Sequence, residues 1–173
     1  MKKRTIYLAG GCFWGMQKFF DQFDGVLETE VGYANGPGGA PTYREVCESS
    51  GHAETIKIDY DECIISLSRI LDLFFMVIDP LSVNRQGEDT GIQYRTGIYY
   101  NDESLLPEID SVFRKHEIDA GEKLAVELLP LECFHRAEEY HQKYLDKNPG
   151  GYCHIPRTFL NMGAGKETEQ MIL

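Results

Sequence analysis

Strand and helix patterns intermingle along this chain without strict β-α-β alternation, which predicts an α+β fold: a two-layer sandwich in which helices pack on a mixed β-sheet. Two observations support it. Ile56, Ile58 and Tyr60 alternate with Thr55, Lys57 and Asp59, the mark of a half-buried strand. Leu67, Ile70, Leu71, Phe74 and Ile78 recur at helical spacing and give a helix one broad apolar face. With 173 residues, 42% of them hydrophobic, the chain fits a single domain, 1–173, with a full-sized core. Repeats, low-complexity tracts and linkers are not seen.

The elements follow in order. Residues 5–9 read as a strand that Gly10-Gly11 breaks. Met16, Phe19, Phe20 and Phe23 predict a helix over 12–23, stopping near Gly25. Residues 26–33 look like a second strand and 34–41 like an ordered Gly/Pro loop. A strand over 54–60 and the helix beginning at Leu67 come next, then a long polar loop over 79–93. A strand over 94–100, a helix over 103–116 and a strand over 124–129 follow. Phe134, Ala137, His141, Tyr144 and Leu145 predict a last main helix, which Asn148-Pro149-Gly150-Gly151 ends. The tail is polar and expected to be loosely held over 163–173.

A net charge of -11, with no basic cluster beyond Lys2-Lys3-Arg4, argues against a nucleic-acid partner. No stretch approaches the roughly 18 apolar residues that span a bilayer. Lys2-Lys3-Arg4 followed by Ala9-Gly10-Gly11-Cys12 faintly resembles a lipoprotein cleavage site, but the apolar run over 6–9 is too short for a signal segment. A cytoplasmic monomer without membrane contact is the expectation. The cysteines, at 12, 47, 63, 133 and 153, are odd in number and widely spaced, unlike a secreted disulfide framework. There is no Cys-x-x-Cys pair, and His135 and His141 are six apart, so no structural metal is expected.

Cys12 follows two glycines and opens a helix, where unpaired N–H groups and the helix dipole stabilise a thiolate. An inert cysteine packed between strand and helix is the alternative, and position alone leaves both open. Phe13 and Trp14, two adjacent large aromatics, cannot both face one core, so one is expected to line a pocket that suits a methyl group on sulfur. Glu54 shares the parity of Ile56, which points a carboxylate at the apolar face and favours its protonated form. Tyr43 and Tyr94 carry hydroxyls able to donate to an oxygen gaining charge, although the chain has ten tyrosines. Asp89, in Gly87-Glu88-Asp89-Thr90-Gly91, orients a water or loop, or simply forms a turn. Cys153 sits in a Gly-rich segment from which a thiol could swing to an oxidised partner, but Cys47, Cys63 and Cys133 compete. His141 reads as a core residue and His52 as a loop former.

Together these residues resemble the A-type methionine sulfoxide reductases, the peptide-methionine (S)-S-oxide reductases. The similarity lies in Ala9-Gly10-Gly11-Cys12-Phe13-Trp14-Gly15, in residues 41–47 (Pro41 through Cys47), in Gly51-His52-Ala53-Glu54, in Gln93-Tyr94-Arg95 and in residues 138–145 (Glu138 through Leu145), all in family order. The resemblance implies that Cys12 is the nucleophile and that Phe13 and Trp14 form the methyl pocket. Glu54, Tyr43 and Tyr94 would then hold and protonate the sulfoxide oxygen, with Asp89 assisting. It favours Cys153 as the resolving thiol, and implies a long C-terminal coil over the site. Three departures stand out. The Tyr43–Glu54 spacing is one residue shorter than in many members. Cys133 and His135 stand where other residue types are usual. No cysteine follows Cys153, which implies a single-resolver cycle.

The expected substrate is methionine sulfoxide, free or in oxidised proteins, with a thioredoxin-like dithiol as reductant and no metal, nucleotide or flavin cofactor. Two rivals remain at this level. A thiol peroxidase would also form a sulfenic acid but needs no aromatic pocket; a redox-sensing module would be oxidised once and not turn over.

Overall fold

The computed structural model describes residues 1–164 of the chain, so the expected loose tail lies, past Ala164, outside the described residues. Strand β1 (Lys3–Gly10) leads into helix α1 (Phe13–Phe20), followed by β2 (Val26–Ala34), α2 (Tyr43–Cys47), β3 (Ala53–Asp61) and α3 (Leu67–Val77). A two-residue hairpin, β4 (Arg85–Gln86) and β5 (Asp89–Thr90), precedes β6 (Thr96–Tyr100) and α4 (Leu106–Ala120). The chain then forms β7 (Glu127–Pro130), β8 (Phe134–Arg136), α5 (Tyr144–Lys147) and α6 (Arg157–Leu160).

Six strands form one sheet in the order β7-β6-β1-β3-β2-β8. The β6–β7 pair is parallel and the others antiparallel, so the sheet is mixed as expected. Its register places Ile6 opposite Ile58 and Leu8 opposite Ile56. These apolar residues share one face with Met16, Phe19 and Phe20 of α1, Ile70, Leu71 and Phe74 of α3, and Ile109 of α4. The opposite face gathers Tyr7, Ala9, Ala34, Ala53 and Tyr99 with Leu131 and Phe134, none of them helical. Helices therefore cover one face, which is the two-layer α+β sandwich. No helix among the described residues is long and apolar enough to cross a membrane.

Several boundaries differ from the sequence expectation. Helix α1 starts at Phe13 because Cys12 is in an extended, N-cap conformation, with φ -55° and ψ 122°. Residues 43–47 form a short helix under a capping box between Thr42 and Glu45, a pattern present in the sequence that the loop expectation overlooks. Tyr94 does not open a strand: it ends a 3-10 turn, Ile92–Tyr94, and the ladder begins at Thr96.

The largest correction is the expected helix over 134–145. Phe134 and His135 instead pair with Ala34 and Tyr33 as an edge strand. Gly32 makes the approach possible, since a Cβ there would fall 2.5 Å from the His135 carbonyl oxygen. A 3-10 turn, Glu139–His141, follows, and Lys143 in the left-handed region at φ 55° stops any helix from running through to α5. Between them the Gln142 side chain continues the sheet edge, accepting from Val31 N–H at 3.1 Å and donating to Val31 C=O at 2.9 Å. Sheet pairing overrides the apolar spacing that reads as a helix.

Candidate active site

Cys12 stands where β1 turns into α1. Gly11 makes the turn at φ 84°, a conformation glycine tolerates, and a Cβ there would press on Gln86 and on the His154 ring. The Cys12 side chain is 7% exposed. Burial, reinforced by the neighbouring Glu54 carboxylate, pushes its thiol well above the ordinary range. The Trp14 backbone N–H at the helix start acts in the opposite sense, but it does not prevail. The Cys12 side chain makes no cap hydrogen bond, and the resting thiol is protonated rather than ionised.

Glu54 is on β3 opposite Tyr33, 2% exposed, and accepts from the Phe13 backbone N–H at 3.3 Å. Burial dominates and pushes its carboxyl up to about 8. Strand parity anticipated this: the group faces the core and is neutral at pH 7.

Tyr43 and Tyr94 close the same space from α2 and from the 3-10 turn before β6. Both phenols are raised by burial first. Glu54 adds to the shift of each, and Tyr94 also feels Asp89 and Cys12, which places these groups in one electrostatic neighbourhood. Both hydroxyls are thus kept as donors. Asp89, on β5, has its carboxyl raised by burial, with the nearby Tyr152 hydroxyl acting in the opposite sense. Its Oδ2 is buried without a partner.

The adjacent aromatics divide their work. Phe13 is 1% exposed and packs with Val31, Tyr33, Val46 and Ala137. Trp14 is half-buried, stacks on Tyr144 at 3.8 Å, and donates from Nε1 to His141 Nδ1 at 2.9 Å. Phe13 makes the floor and Trp14 the open wall. His141 is buried as expected, but it lies in a 3-10 turn and touches Phe13, Trp14 and Tyr43.

Cys153 is brought to the same helix. Its sulfur lies where Gly15 lacks a side chain: a Cβ on Gly15 would sit 2.5 Å from Cys153 Sγ. The two thiols influence each other electrostatically, and both are free. A cleft of about 280 Å³ opens beside Cys153, bounded by Lys18, Asp146 and Arg157. Cys47 touches the Tyr43 hydroxyl from α2, whereas Cys63 is exposed beyond β3.

Cys12, Phe13, Trp14, Tyr43, Glu54, Asp89, Tyr94 and Cys153 thus gather in one neighbourhood, with Cys47 at its margin through Tyr43, whereas Cys63, Cys133, His52 and His135 lie apart from it. Sequence reasoning missed Glu138, whose carboxylate accepts from Tyr33 Oη and from Tyr43 N–H, each at 2.9 Å. It also missed Tyr144, Tyr152 and Gln86. The signal for Glu138 and Tyr144 is their place in the 138–145 block, which carries the family resemblance but is assigned no site residue.

A buried cysteine beside a neutral carboxylic acid and phenol donors, at the ends of the two central strands β1 and β3, has the make-up of a thiol enzyme's site. The chain belongs to the peptide methionine sulfoxide reductase family, whose model matches residues 4–170. It is an oxidoreductase that reduces methionine sulfoxide. A relative named peptide methionine sulfoxide reductase MsrA, from Lachnoclostridium phytofermentans, is 55% identical over 157 residues, covering 88% of this chain and 92% of the relative. The fold is similar to that of reduced Mxr1 from Saccharomyces cerevisiae, with TM-score 0.83 and 37% identity over 88% of this chain and 89% of that one. Methionine sulfoxide reductase A of Corynebacterium diphtheriae gives TM-score 0.80 and 35% identity over 89% and 83%. Mxr1 has also been solved in complex with Trx2, matching at TM-score 0.60 and 27% identity over 83% and 85%.

Proposed function

We propose that Cys12 is the nucleophile, that Glu54 is the general acid, and that the substrate is the S epimer of methionine sulfoxide, free or in proteins. The observation that carries this reading is the burial of Cys12 and Glu54 around the Phe13 backbone, with the carboxyl held neutral. Sulfoxide oxygen leaves sulfur readily only when protonated or strongly hydrogen-bonded. Glu54 supplies the proton, and the Tyr43 and Tyr94 hydroxyls donate to the same oxygen. While Glu54 is neutral its repulsion of a Cys12 thiolate is absent, and the Trp14 N–H assists the ionised sulfur. Trp14 over the Phe13 floor receives the S-methyl group. Asp89, with Tyr152, orients the hairpin side of the site.

The steps balance. Cys12 thiol and sulfoxide give Cys12 sulfenic acid and free methionine; the thiol proton restores the one Glu54 delivered. The Cys153 thiol condenses with the sulfenic acid to a disulfide and releases water. Its place against Gly15, on the same helix as Cys12, supports Cys153 over the other cysteines. A thioredoxin-like dithiol then reduces the disulfide by exchange, as the Mxr1–Trx2 complex favours, and the cleft beside Cys153 offers an approach. The match over 4–170 supports reading the chain as one such domain; a cytoplasmic monomer is the setting proposed for it.

The test is reduction of the separated S and R epimers with dithiothreitol by wild type, Cys12→Ser and Cys153→Ser. Consumption of the S epimer alone, abolished in Cys12→Ser, is expected. Cys153→Ser should give about one product per enzyme in a single turnover and fail to cycle with thioredoxin. Activity in Cys12→Ser, or full thioredoxin cycling by Cys153→Ser, would refute the respective assignment.

A further inference from the structure

Three side chains that this reaction does not use converge at the end of the sheet. His52 immediately precedes β3, while Cys133 and His135 flank Phe134 at the start of β8. One donor atom from each lies within 4.8 Å of the others. Strand β2 ends at Ala34, opposite both Ala53 and Phe134, so its departure lets the residues beside it face one another. Phe134 turns the other way, onto Tyr7. The His52 and His135 rings meet edge-on with centroids 5.9 Å apart.

The trio is built rather than incidental. His52 is 1% exposed; its Nδ1 contacts Ser50 Oγ at 2.9 Å, and its Nε2 is buried with no partner. The Nε2 of His135 is likewise buried and unpartnered. His141 and His154 also bury unpartnered ring nitrogens, but only here do two of them, from separate rings, lie beside a thiol, among the described residues. Gly36 lies flat on His52, since a Cβ there would fall 2.3 Å from the ring. Asn35, in the left-handed region at φ 52°, donates its N–H to the Cys133 carbonyl at 3.1 Å. Its Oδ1 accepts from the N–H groups of Glu132 and Cys133 at 2.7 and 3.4 Å. The loop thereby holds Cys133 in place.

We propose that His52 Nε2, His135 Nε2 and the Cys133 sulfur bind one zinc-class divalent cation. Two imidazoles and a thiolate form a borderline-soft donor set suited to Zn²⁺. Donors around tetrahedral zinc lie about 3.3–3.8 Å apart, so the trio closes by about 1 Å through side-chain rotation. His52 binds as a neutral ring whose Nδ1–H donates to Ser50 Oγ and fixes its orientation. Cys133, whose S–H contacts the Gly36 carbonyl at 3.4 Å, loses one proton to solvent on binding. Solvent takes the fourth position. The nearby Arg95 guanidinium is paired with Glu127 at 2.7 Å, which offsets its repulsion of the ion. The spacing argument against a metal fails because the donors come from opposite halves of the chain. The ion would clip edge strand β8 to the turn that feeds β3 and Glu54.

Metal-free, fully reduced protein is titrated with Co²⁺, then with Zn²⁺ against a competing chelator, using wild type, Cys133→Ser, His135→Gln and Cys12→Ser. We expect one equivalent bound with a cobalt–thiolate absorption band and release of one proton. The band should vanish in Cys133→Ser, affinity should fall by at least roughly tenfold in His135→Gln, and Cys12→Ser should bind as wild type does. Absence of one-equivalent binding, or a thiolate band that survives Cys133→Ser, overturns the site. Circular dichroism reports folding, and His135→Gln, at a half-buried edge position, decides the matter should Cys133→Ser not fold.

Discussion

From β1 to α4 the chain is held by apolar burial, with Ile6, Leu8, Phe19, Ile58, Leu71 and Phe74 all fully enclosed between sheet and helices. From Leu131 to Ala164 side-chain amides do much of the corresponding work. Gln142 binds Val31 N–H, Val31 C=O and the Ala137 carbonyl. Gln17 Oε1 accepts from Lys143 N–H at 2.8 Å, while its Nε2 is held by Thr29. Gln22 donates to the Phe159 carbonyl at 2.7 Å and accepts from Gly163 N–H at 2.7 Å. Burial is non-directional and tolerant of small shifts; a hydrogen bond fixes distance and angle. The first region holds the fold together and also carries Cys12, Tyr43, Glu54, Asp89 and Tyr94. The second brings His141, Tyr144 and Cys153 up to them at fixed distances.

Three substitutions sharpen that division. Phe74→Ala empties a fully buried site in the apolar layer and should cost about 3–5 kcal/mol in denaturant unfolding, with KM of the remaining folded enzyme unchanged. A cost under about 1 kcal/mol would mean that apolar burial is not what holds the first region.

Glu54→Gln should move the other way, because the site is placed in the apolar layer at the expense of stability. The folded carboxyl titrates at about 8, well above its unfolded value near about 4.3. Folding therefore holds a proton that the unfolded chain releases, and the resulting penalty is absent below about pH 4 and grows as pH rises toward 8. Relief by Gln should be on the order of 3 kcal/mol at pH 7 and smaller at pH 5. Wild type should lose activity as pH rises through about 8, and the same variant should lack that alkaline fall. Urea unfolding and rate profiles across that range check both; an equal stability difference at pH 5 and pH 8 would contradict the buried neutral acid.

Gln142→Ala should have the smallest effect on stability, about 1–3 kcal/mol, since it leaves the Val31 N–H unpaired while the Val31 carbonyl keeps the Ala137 N–H. Its effect on kcat should be disproportionate, through loosened support of the neighbouring His141 against Trp14. A variant with lowered stability and unaltered kcat would show that the amide hooks only hold the chain.

What could be read in advance follows the same boundary. The alternation at Glu54, Ile56 and Ile58 marks both the strand and the inward carboxylate, because successive residues of a strand point to opposite faces; the expected half-burial does not hold, since β3 is central and Thr55 and Asp59 on its other face are buried too. Helix α3 is equally plain in its apolar stripe. The 134–145 segment is not, because its conformation answers to a sheet edge and to Gln142, partners remote in sequence. The protonated state of Cys12 also lies beyond position alone, since a helix start argues for a thiolate and only the enclosing structure reverses it. Gly15 stands in a recognisable motif, but its use as a seat for the Cys153 sulfur requires the fold. The His52, Cys133 and His135 cluster is invisible to spacing for the same reason.

The enclosure of Cys12 has a consequence for survival. Peroxides attack thiolates, and an accessible ionised cysteine is carried onward to sulfinic and sulfonic acids that a dithiol does not restore. Here the sulfur is 7% exposed and carries its proton at rest. At Cys12 the oxidants that damage methionine elsewhere thus meet a shielded, protonated sulfur, a poor target for over-oxidation.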